Sequence, residues 1–187
     1  MRVFVAVVPP PEALAELAAA LAPVQRNLRG PRWTRPEQWH LTLAFLGELD
    51  EDTVDGVRAG LAGVAARSAP VELALTGAGR FGERVLWTGL AGDTAGLGAL
   101  AAEVAAVARA AGVALEDRRF AAHLTLARGR GGVGGLAPAV RALAGFTGRT
   151  WRADTLRLVR SRPGPQYDDL ATWPLGGDHR DPGFSGP

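Results

Sequence analysis

One pentapeptide occurs twice in the chain, and this repeat constrains the fold more than any other feature. The segment His40–Ala44, with the sequence HLTLA, recurs unchanged as His123–Ala127, and the two copies hold two of the three histidines. If each copy is a β-strand, its histidine and threonine share one face while the leucines point into a core. The repeat therefore predicts two strands that each present an imidazole and a hydroxyl side by side.

The composition narrows the possible functions. A chain of 187 residues with 47% hydrophobic and 21% charged residues is typical of a globular protein with a substantial core. All 21 basic residues are arginine, so the pI is near 10.2 although the net charge is only +2. This small charge argues against coating of long nucleic acid, but it allows a local arginine cluster around phosphate. The absence of cysteine excludes disulfides and thiolate metal sites.

The hydrophobic pattern predicts alternating strands and helices. Residues 2–8 form a buried strand, and Pro9–Pro11 end it before it could serve as a signal peptide or membrane span, so we expect a cytoplasmic protein without membrane association. Further strands are predicted over 39–46, 71–76, 84–90, 120–128, 150–160 and 169–175, with a brief pairing at 32–34. Helices are predicted over 12–28, with a kink or early end at Pro23, and over 51–68, 97–111 and 136–144.

Two glycine-rich segments carry weaker signals. Gly77–Gly82 matches the G-x-G-x-x-G pattern of dinucleotide-binding folds, but a strand rather than a helix is predicted to follow, which favours a hairpin turn. A P-loop is excluded because the chain has no lysine. Gly129–Gly135 is predicted to be a surface connection. Residues 176–187, including the third histidine, His179, are predicted to be a disordered tail beyond a single domain of residues 1–175.

The order of elements repeats about a midpoint near residue 80, with a helix before each motif strand. This repetition predicts an α+β fold with two pseudo-symmetric lobes, each an antiparallel sheet covered by helices, and a central cleft. An approximate twofold axis between the lobes would make the two motif strands face each other across that cleft.

Two imidazoles on opposite sides of a small substrate fit a displacement reaction. One imidazole can take a proton from the attacking water while the other protonates the leaving oxygen. The threonine hydroxyls can donate to non-bridging oxygens of a phosphoryl group. A zinc site would need a carboxylate or thiolate beside the histidines, whereas Glu37 and Glu48 fall in turns at strand ends. We therefore expect no metal and no cofactor, and the chain has no G-x-S-x-G elbow of a serine hydrolase.

The duplicated H-x-T-x tetrads resemble the signature of the 2H phosphoesterase superfamily. Residues 40–47 (HLTLAFLG) and 123–128 (HLTLAR) are similar to its bacterial branch, the RNA 2′,3′-cyclic phosphodiesterases, historically called 2′-5′ RNA ligases. Arg2–Val7, Arg84–Trp87 and Trp173–Leu175 also resemble that branch, so the likeness extends from residue 2 to about 175.

The resemblance implies metal-independent hydrolysis of a ribose 2′,3′-cyclic phosphate to a 2′-phosphomonoester, with RNA 3′ ends or cyclic nucleotides as substrate. It makes His40 the general acid and His123 the base that activates water, although two identical motifs leave this assignment open. Thr42 and Thr125 would hold the phosphate oxygens. Alternatives are 2′-5′ ligation of RNA ends, or an RNA-end binding module without catalysis. We expect a monomer.

Further residues follow from the same resemblance. Arg128 matches a position that contacts the phosphate region, and Phe45 matches an aromatic position near the nucleoside. Strict strand alternation would instead direct Phe45 into the core. Phe4 either lines the cleft or packs beneath it. Ala122 departs from the family pattern, because relatives often have proline before the second histidine.

Overall fold

The computed structural model describes residues 1–129, 135–164 and 166–176. Most of the predicted glycine-rich connection and, apart from Gly176, the predicted tail with His179 lie outside these ranges. Within them the strands are β1 (Arg2–Val7), β2 (Arg32–Trp33), β3 (Leu41–Glu48), β4 (Val71–Phe81), β5 (Val85–Gly92), β6 (Leu124–Arg128), β7 (Thr147–Ala153), β8 (Thr155–Arg162) and β9 (Gln166–Pro174). The α-helices are α1 (Pro11–Asn27), α2 (Glu51–Arg67), α3 (Thr94–Ala110) and α4 (Ala137–Leu143).

The strands form one curled antiparallel sheet in the order β7-β4-β5-β6-β3-β1-β8-β9, with β2 added beside β6. The sheet consists of two halves that meet where Leu41 of β3 pairs with Leu124 of β6. Each half has a motif strand at its inner edge, followed outward by β1 and β8 in one half and by β5 and β4 in the other. The predicted α+β fold with two similar sheet lobes is thus confirmed, and the two sheets are continuous through this pair.

Each lobe contains elements from both halves of the chain. Strand β4 follows the first motif but pairs with β5, whereas β8 follows the second motif and pairs with β1. Helix α1 packs on β4 and β7, and α4 packs on β4 and on α1, while α2 packs on β8 and β9, and α3 on β3. Because β4 and β8 each pair with a strand from the other half of the chain, the two half-sheets are held together around their junction.

Local sequence explains how the helices begin and pack. The carboxylate of Asp50 accepts a hydrogen bond from the Thr53 amide at 2.8 Å and caps α2, and Asp93 caps α3 in the same way. Helices α2 and α3 lie close together where Gly60 faces Val107. A Cβ atom added to Gly60 would be only 2.3 Å from Cγ1 of Val107. No helix in the described ranges is long and apolar enough to cross a membrane.

Some predicted boundaries differ from the structure. The single strand predicted over 150–160 is wrong, because Asp154 separates β7 from β8 and these strands belong to different half-sheets. Helix α1 is not shortened at Pro23 and continues to Asn27. The predicted hairpin after residue 76 is confirmed, but β4 continues through the glycines to Phe81 before the chain turns.

Candidate active site

A cavity of about 580 Å³ opens between the two half-sheets, where the motif strands meet. Its wall contains every residue that the sequence nominated for the site: His40, Thr42, Phe45, His123, Thr125 and Arg128. Phe4, which the sequence left undecided, also lines the cavity. The two copies of the motif therefore share one site.

The two imidazoles are held in the same way. Each histidine lies one residue before its strand begins, at Leu41 or Leu124, rather than inside the strand as predicted. In His40 the Nδ1 atom is 2.7 Å from the carbonyl oxygen of Gln38, and in His123 it is 2.7 Å from that of Ala121. Because a carbonyl oxygen only accepts, Nδ1 carries the proton in both rings. Nε2 is then the atom that gains or loses a proton.

A β-bulge in β3 places Phe45 in the cavity. Strand β1 pairs Ala6 with Thr42 but Val5 with Ala44, so Leu43 is an extra residue in β3. The bulge reverses the alternation, and Phe45 points to the same side as Thr42 with 61% of its surface exposed. The alternation argument that directed Phe45 into the core is therefore wrong.

The second motif strand contains the equivalent bulge. Thr125 pairs with Trp87, whereas Ala127 pairs with Leu86, which leaves Leu126 as the extra residue. Arg128 consequently shares the cavity side of the strand with Thr125. Phe45 and Arg128 occupy equivalent positions, so one lobe offers an aromatic ring where the other offers a guanidinium group.

Thr34 stabilises the second bulge. Its amide donates to the carbonyl oxygen of Leu126 at 2.9 Å, and its hydroxyl donates to the carbonyl oxygens of Thr125 and Leu126 at 2.9 and 2.8 Å. The same hydroxyl accepts from Nε1 of Trp39 at 2.9 Å. The sequence indicated a brief pairing at 32–34 but not this role, because the partners lie more than 90 residues away.

Aromatic rings surround His40. The ring of Phe4 stacks on the imidazole at 4.7 Å between centroids, and Tyr167 meets it edge-on at 5.2 Å. Burial lowers the pKa of His40 below its usual 6.5, the Gln38 carbonyl opposes this shift, and repulsion from His123 adds to it. The unliganded site thus favours the neutral form of His40.

His123 has a different pair of aromatic neighbours. Phe81 meets its imidazole edge-on at 5.0 Å, and the centroid of Trp87 lies 6.3 Å away. The indole of Trp87 lies across Gly79, where a Cβ atom would be 2.2 Å from the ring. The dinucleotide-like glycine pattern is therefore explained by packing, because Gly79 makes room for Trp87 beneath the site.

The charge of the cavity suits an anion. Arg2, Arg32, Arg128 and Arg162 line it, and Asp168 pairs with Arg162. In the described ranges, no group of three or more histidine, aspartate or glutamate side chains is arranged to hold a metal ion. The cavity can thus bind a negatively charged group between two imidazoles.

Sequence reasoning missed several residues of the wall, including Arg32, Thr34, Phe81 and Tyr167. None of them belongs to a repeated motif. Tyr167 reaches His40 only because β9 pairs with β8 and β8 pairs with β1. The available signal was weak: Phe81 directly precedes Gly82, and Tyr167 lies two residues after Pro165.

Comparison with known proteins agrees with this geometry. The model of the family described as LigT like Phosphoesterase matches residues 7–87 and 91–167. The chain belongs to this family. An RNA 2′,3′-cyclic phosphodiesterase of Geobacillus stearothermophilus is 33% identical over 178 residues, which cover 92% of this chain and 56% of that protein. The chain thus spans little more than half the length of that relative.

A second relative matches over nearly its whole length. The RNA 2′,3′-cyclic phosphodiesterase of Thermus thermophilus is 34% identical over 195 residues, covering 96% of this chain and 92% of that protein. The crystal structure of TT0787 from the same organism superposes with a TM-score of 0.80 and 30% identity, covering 96% of this chain and all of that one. The α+β architecture of this LigT-like phosphoesterase is therefore shared with a solved structure.

Proposed function

We propose that this LigT-like phosphoesterase hydrolyses the 2′,3′-cyclic phosphate of RNA 3′ ends or nucleotides to a 2′-phosphomonoester. The observation that carries the proposal is the pair of imidazoles, held alike through Nδ1, in one cavity lined by arginines. The names of two relatives that align with more than nine-tenths of the chain support the same activity. His40 and His123 are the proposed catalytic residues.

The proposed reaction needs two proton transfers. A water oxygen attacks phosphorus while one imidazole takes a proton from that water through Nε2. The bond between phosphorus and O3′ breaks, and the other imidazole donates its Nε2 proton to O3′. The products are a 2′-phosphomonoester and a free 3′-hydroxyl. Because Nδ1 of each ring is bonded to a carbonyl, both rings present the same nitrogen to the substrate.

The remaining site residues are proposed to bind the substrate. The hydroxyls of Thr42 and Thr125 donate to the non-bridging phosphate oxygens, whose negative charge changes during the displacement. The guanidinium group of Arg128 attracts the phosphate, and the exposed ring of Phe45 stacks on the nucleobase. Because these groups and the two imidazoles supply charge and proton transfer, the reaction is proposed to be independent of metal.

Two arguments bear on which histidine is the acid. The family resemblance makes His40 the acid, whereas its lowered pKa favours the neutral ring, which is the form that a base requires. A bound phosphate brings negative charge close to His40 and favours its protonated form. His40 can therefore be protonated in the enzyme with bound substrate although it is neutral in the free enzyme, and a pH profile of activity shows whether it acts as acid or as base.

We further propose that residues 1–175 act as one domain and as a monomer. Both histidines come from the same chain, and each half-sheet contains a strand from the other half of the sequence. One protomer therefore contains the complete proposed site.

Hydrolysis of adenosine 2′,3′-cyclic phosphate in the presence of EDTA tests the activity. Phosphorus NMR identifies the product, and we expect a 2′-phosphomonoester from the unaltered protein. His40→Ala and His123→Ala should each lower turnover by about 10²- to 10⁴-fold, whereas His179→Ala, which replaces the third histidine, serves as the matched control and should leave turnover unchanged. Absence of hydrolysis, or hydrolysis that neither motif substitution slows, contradicts the proposal.

A further inference from the structure

Two arginines of the cavity lie directly opposite each other on neighbouring strands. Arg32 of β2 pairs with Arg128 of β6, and both side chains line the cavity. Side chains in such a pair have Cβ atoms about 4.5–5.5 Å apart, and like charges there are destabilising. An anion bound between the two guanidinium groups would remove this repulsion.

The position of Arg32 is fixed by the fold. Strand β2 has two residues, and its neighbour Thr34 is bonded to β6 through both its amide and its hydroxyl. The indole of Trp33 donates to the carbonyl oxygen of Leu28 at 3.2 Å on the other side. Arg32 is therefore held beside Arg128 by its backbone.

One of the other two arginines of the cavity has an ion-pair partner. Asp168 pairs with Arg162, whereas Glu48, which lies opposite Arg2 in the β1–β3 register, pairs with the N-terminal amine of Met1. Among the described residues, no ion pair includes Arg2, Arg32 or Arg128. Of these three arginines, only Arg32 and Arg128 lie directly opposite each other on paired strands, so this pair places two unpaired positive charges side by side.

Strand β2 also breaks the approximate symmetry of the two lobes. Residues 113–123, which precede the second motif as residues 32–39 precede the first, form neither strand nor helix. The added strand lies beside Arg128, whereas the equivalent position in the other lobe is Phe45. One lobe therefore has two adjacent cations where the other has an exposed aromatic ring.

We propose that Arg32, together with Arg128, binds a second phosphate, the phosphodiester immediately 5′ of the nucleotide that carries the cyclic phosphate. This inference rests on the proposed function. A cyclic phosphate has one negative charge, and the two threonine hydroxyls and Arg128 are proposed to bind it. Arg32 adds a second guanidinium group beside Arg128, and this additional positive charge fits a further anion. A cyclic mononucleotide ends in a 5′-hydroxyl and lacks that anion. The preferred substrate class is therefore an oligonucleotide end.

Two dinucleotides that differ in one charge test the proposal. Both end in a 2′,3′-cyclic phosphate, and the internucleotide link is a phosphodiester in one and a neutral methylphosphonate in the other. We expect the unaltered protein to have a higher kcat/KM for the charged link, and Arg32→Gln to lower the ratio of the two values about tenfold. The salt dependence of kcat/KM for the charged dinucleotide should become shallower by about one charge in the same variant.

The control variants isolate the guanidinium group. Arg32→Lys should retain part of the ratio, and Arg109→Gln, on the exposed face of α3, should leave it unchanged. Thermal melting shows whether each variant is folded. An unchanged ratio in Arg32→Gln, or an equal loss for both dinucleotides, overturns the proposal.

The test also separates this inference from the proposed function. If the unaltered protein hydrolyses neither dinucleotide, the proposed function fails. Calorimetry then measures binding of two dinucleotides that have the same charged or neutral link but end in a 2′-phosphate instead of the cyclic phosphate. The ratio of their affinities reports on the second-phosphate site without any need for hydrolysis. Equal affinity for the charged and neutral links in the unaltered protein overturns the second-phosphate site on its own.

Discussion

Replacing Gly79 with alanine should impair the site without touching any group that we propose to react. Gly79 faces the indole of Trp87, and an added Cβ atom would lie 2.2 Å from its Cζ2 atom. Ordinary contact begins at about 3.4 Å, so the ring would have to move by about 1.2 Å. The Nε1 atom of Trp87 is buried without a hydrogen-bond partner among the described residues, so packing alone holds the indole.

The displacement acts on His123. Trp87 lies 5.5 Å from Phe81 and 6.3 Å from His123 between ring centroids, and Phe81 meets the imidazole edge-on. Overpacking of this kind costs about 1–3 kcal/mol, which lowers Tm by about 2–4 °C for each kcal/mol in a chain of this size. A misplacement of about 1 Å at a catalytic group costs up to about 10²-fold in rate. We expect Gly79→Ala to lower kcat by about 10- to 100-fold with little change in KM.

A double-mutant cycle measures whether the effect passes through the indole. kcat, KM and Tm are determined for Gly79→Ala, Trp87→Leu and the double variant, with a 2′,3′-cyclic nucleotide as substrate. Once the indole is removed, the added methyl group has no ring to displace, so the double variant should match Trp87→Leu. Gly98→Ala is the matched control, because a Cβ atom there meets nothing within 4 Å. A Gly79→Ala protein with unaltered kcat and Tm, or additive effects in the cycle, refutes this reasoning.

Three further predictions concern the site. Thr42→Val and Thr125→Val should each lower kcat by about 10²-fold in steady-state assays while Tm stays close to that of the unaltered protein, because a donor to the phosphate is lost; a smaller loss than twofold contradicts the assigned role. Phe45→Ala should raise KM for a cyclic nucleotide about tenfold through lost stacking, with kcat nearly unchanged. The lowered pKa of His40 means that the unfolded chain binds a proton below pH 6.5 before the folded chain does. The free energy of unfolding should therefore fall as pH decreases from about 6.5 to the lowered pKa, and urea titrations should show a smaller fall for His40→Gln.

The sequence predicted the residues of the site better than their orientation. The repeated pentapeptide identified both histidines and both threonines, because their chemistry is encoded within five residues. The side on which Phe45 lies depends on the bulge at Leu43, and pairing with β1 creates that bulge. Alternation within one strand cannot show such a change of register.

The same limit explains the missed strand boundary. One strand was predicted over residues 150–160, where β7 and β8 belong to different half-sheets. A local sign exists, since the buried residues Ala153 and Leu156 are three apart rather than two. What decides the break is the pairing of β7 with β4 and of β8 with β1, which local periodicity does not contain.

The wall residues outside the motifs were beyond sequence reasoning for a related reason. Tyr167 is 127 positions from His40 in the sequence, yet the two rings are in edge-to-face contact. Arg32 meets Arg128 through a strand of two residues, which is too short for a periodic signal. Such contacts follow from the order of strands in the sheet, so they become visible only in three dimensions.

The pH dependence of kcat/KM tests most directly the claim that His40 and His123 act as a pair. We predict a bell-shaped profile for the unaltered protein, with one limb lost in His40→Ala and the opposite limb lost in His123→Ala. The limb that disappears in His40→Ala identifies that residue as acid or base. Loss of the same limb in both variants, or a bell-shaped profile that persists in either, contradicts the account.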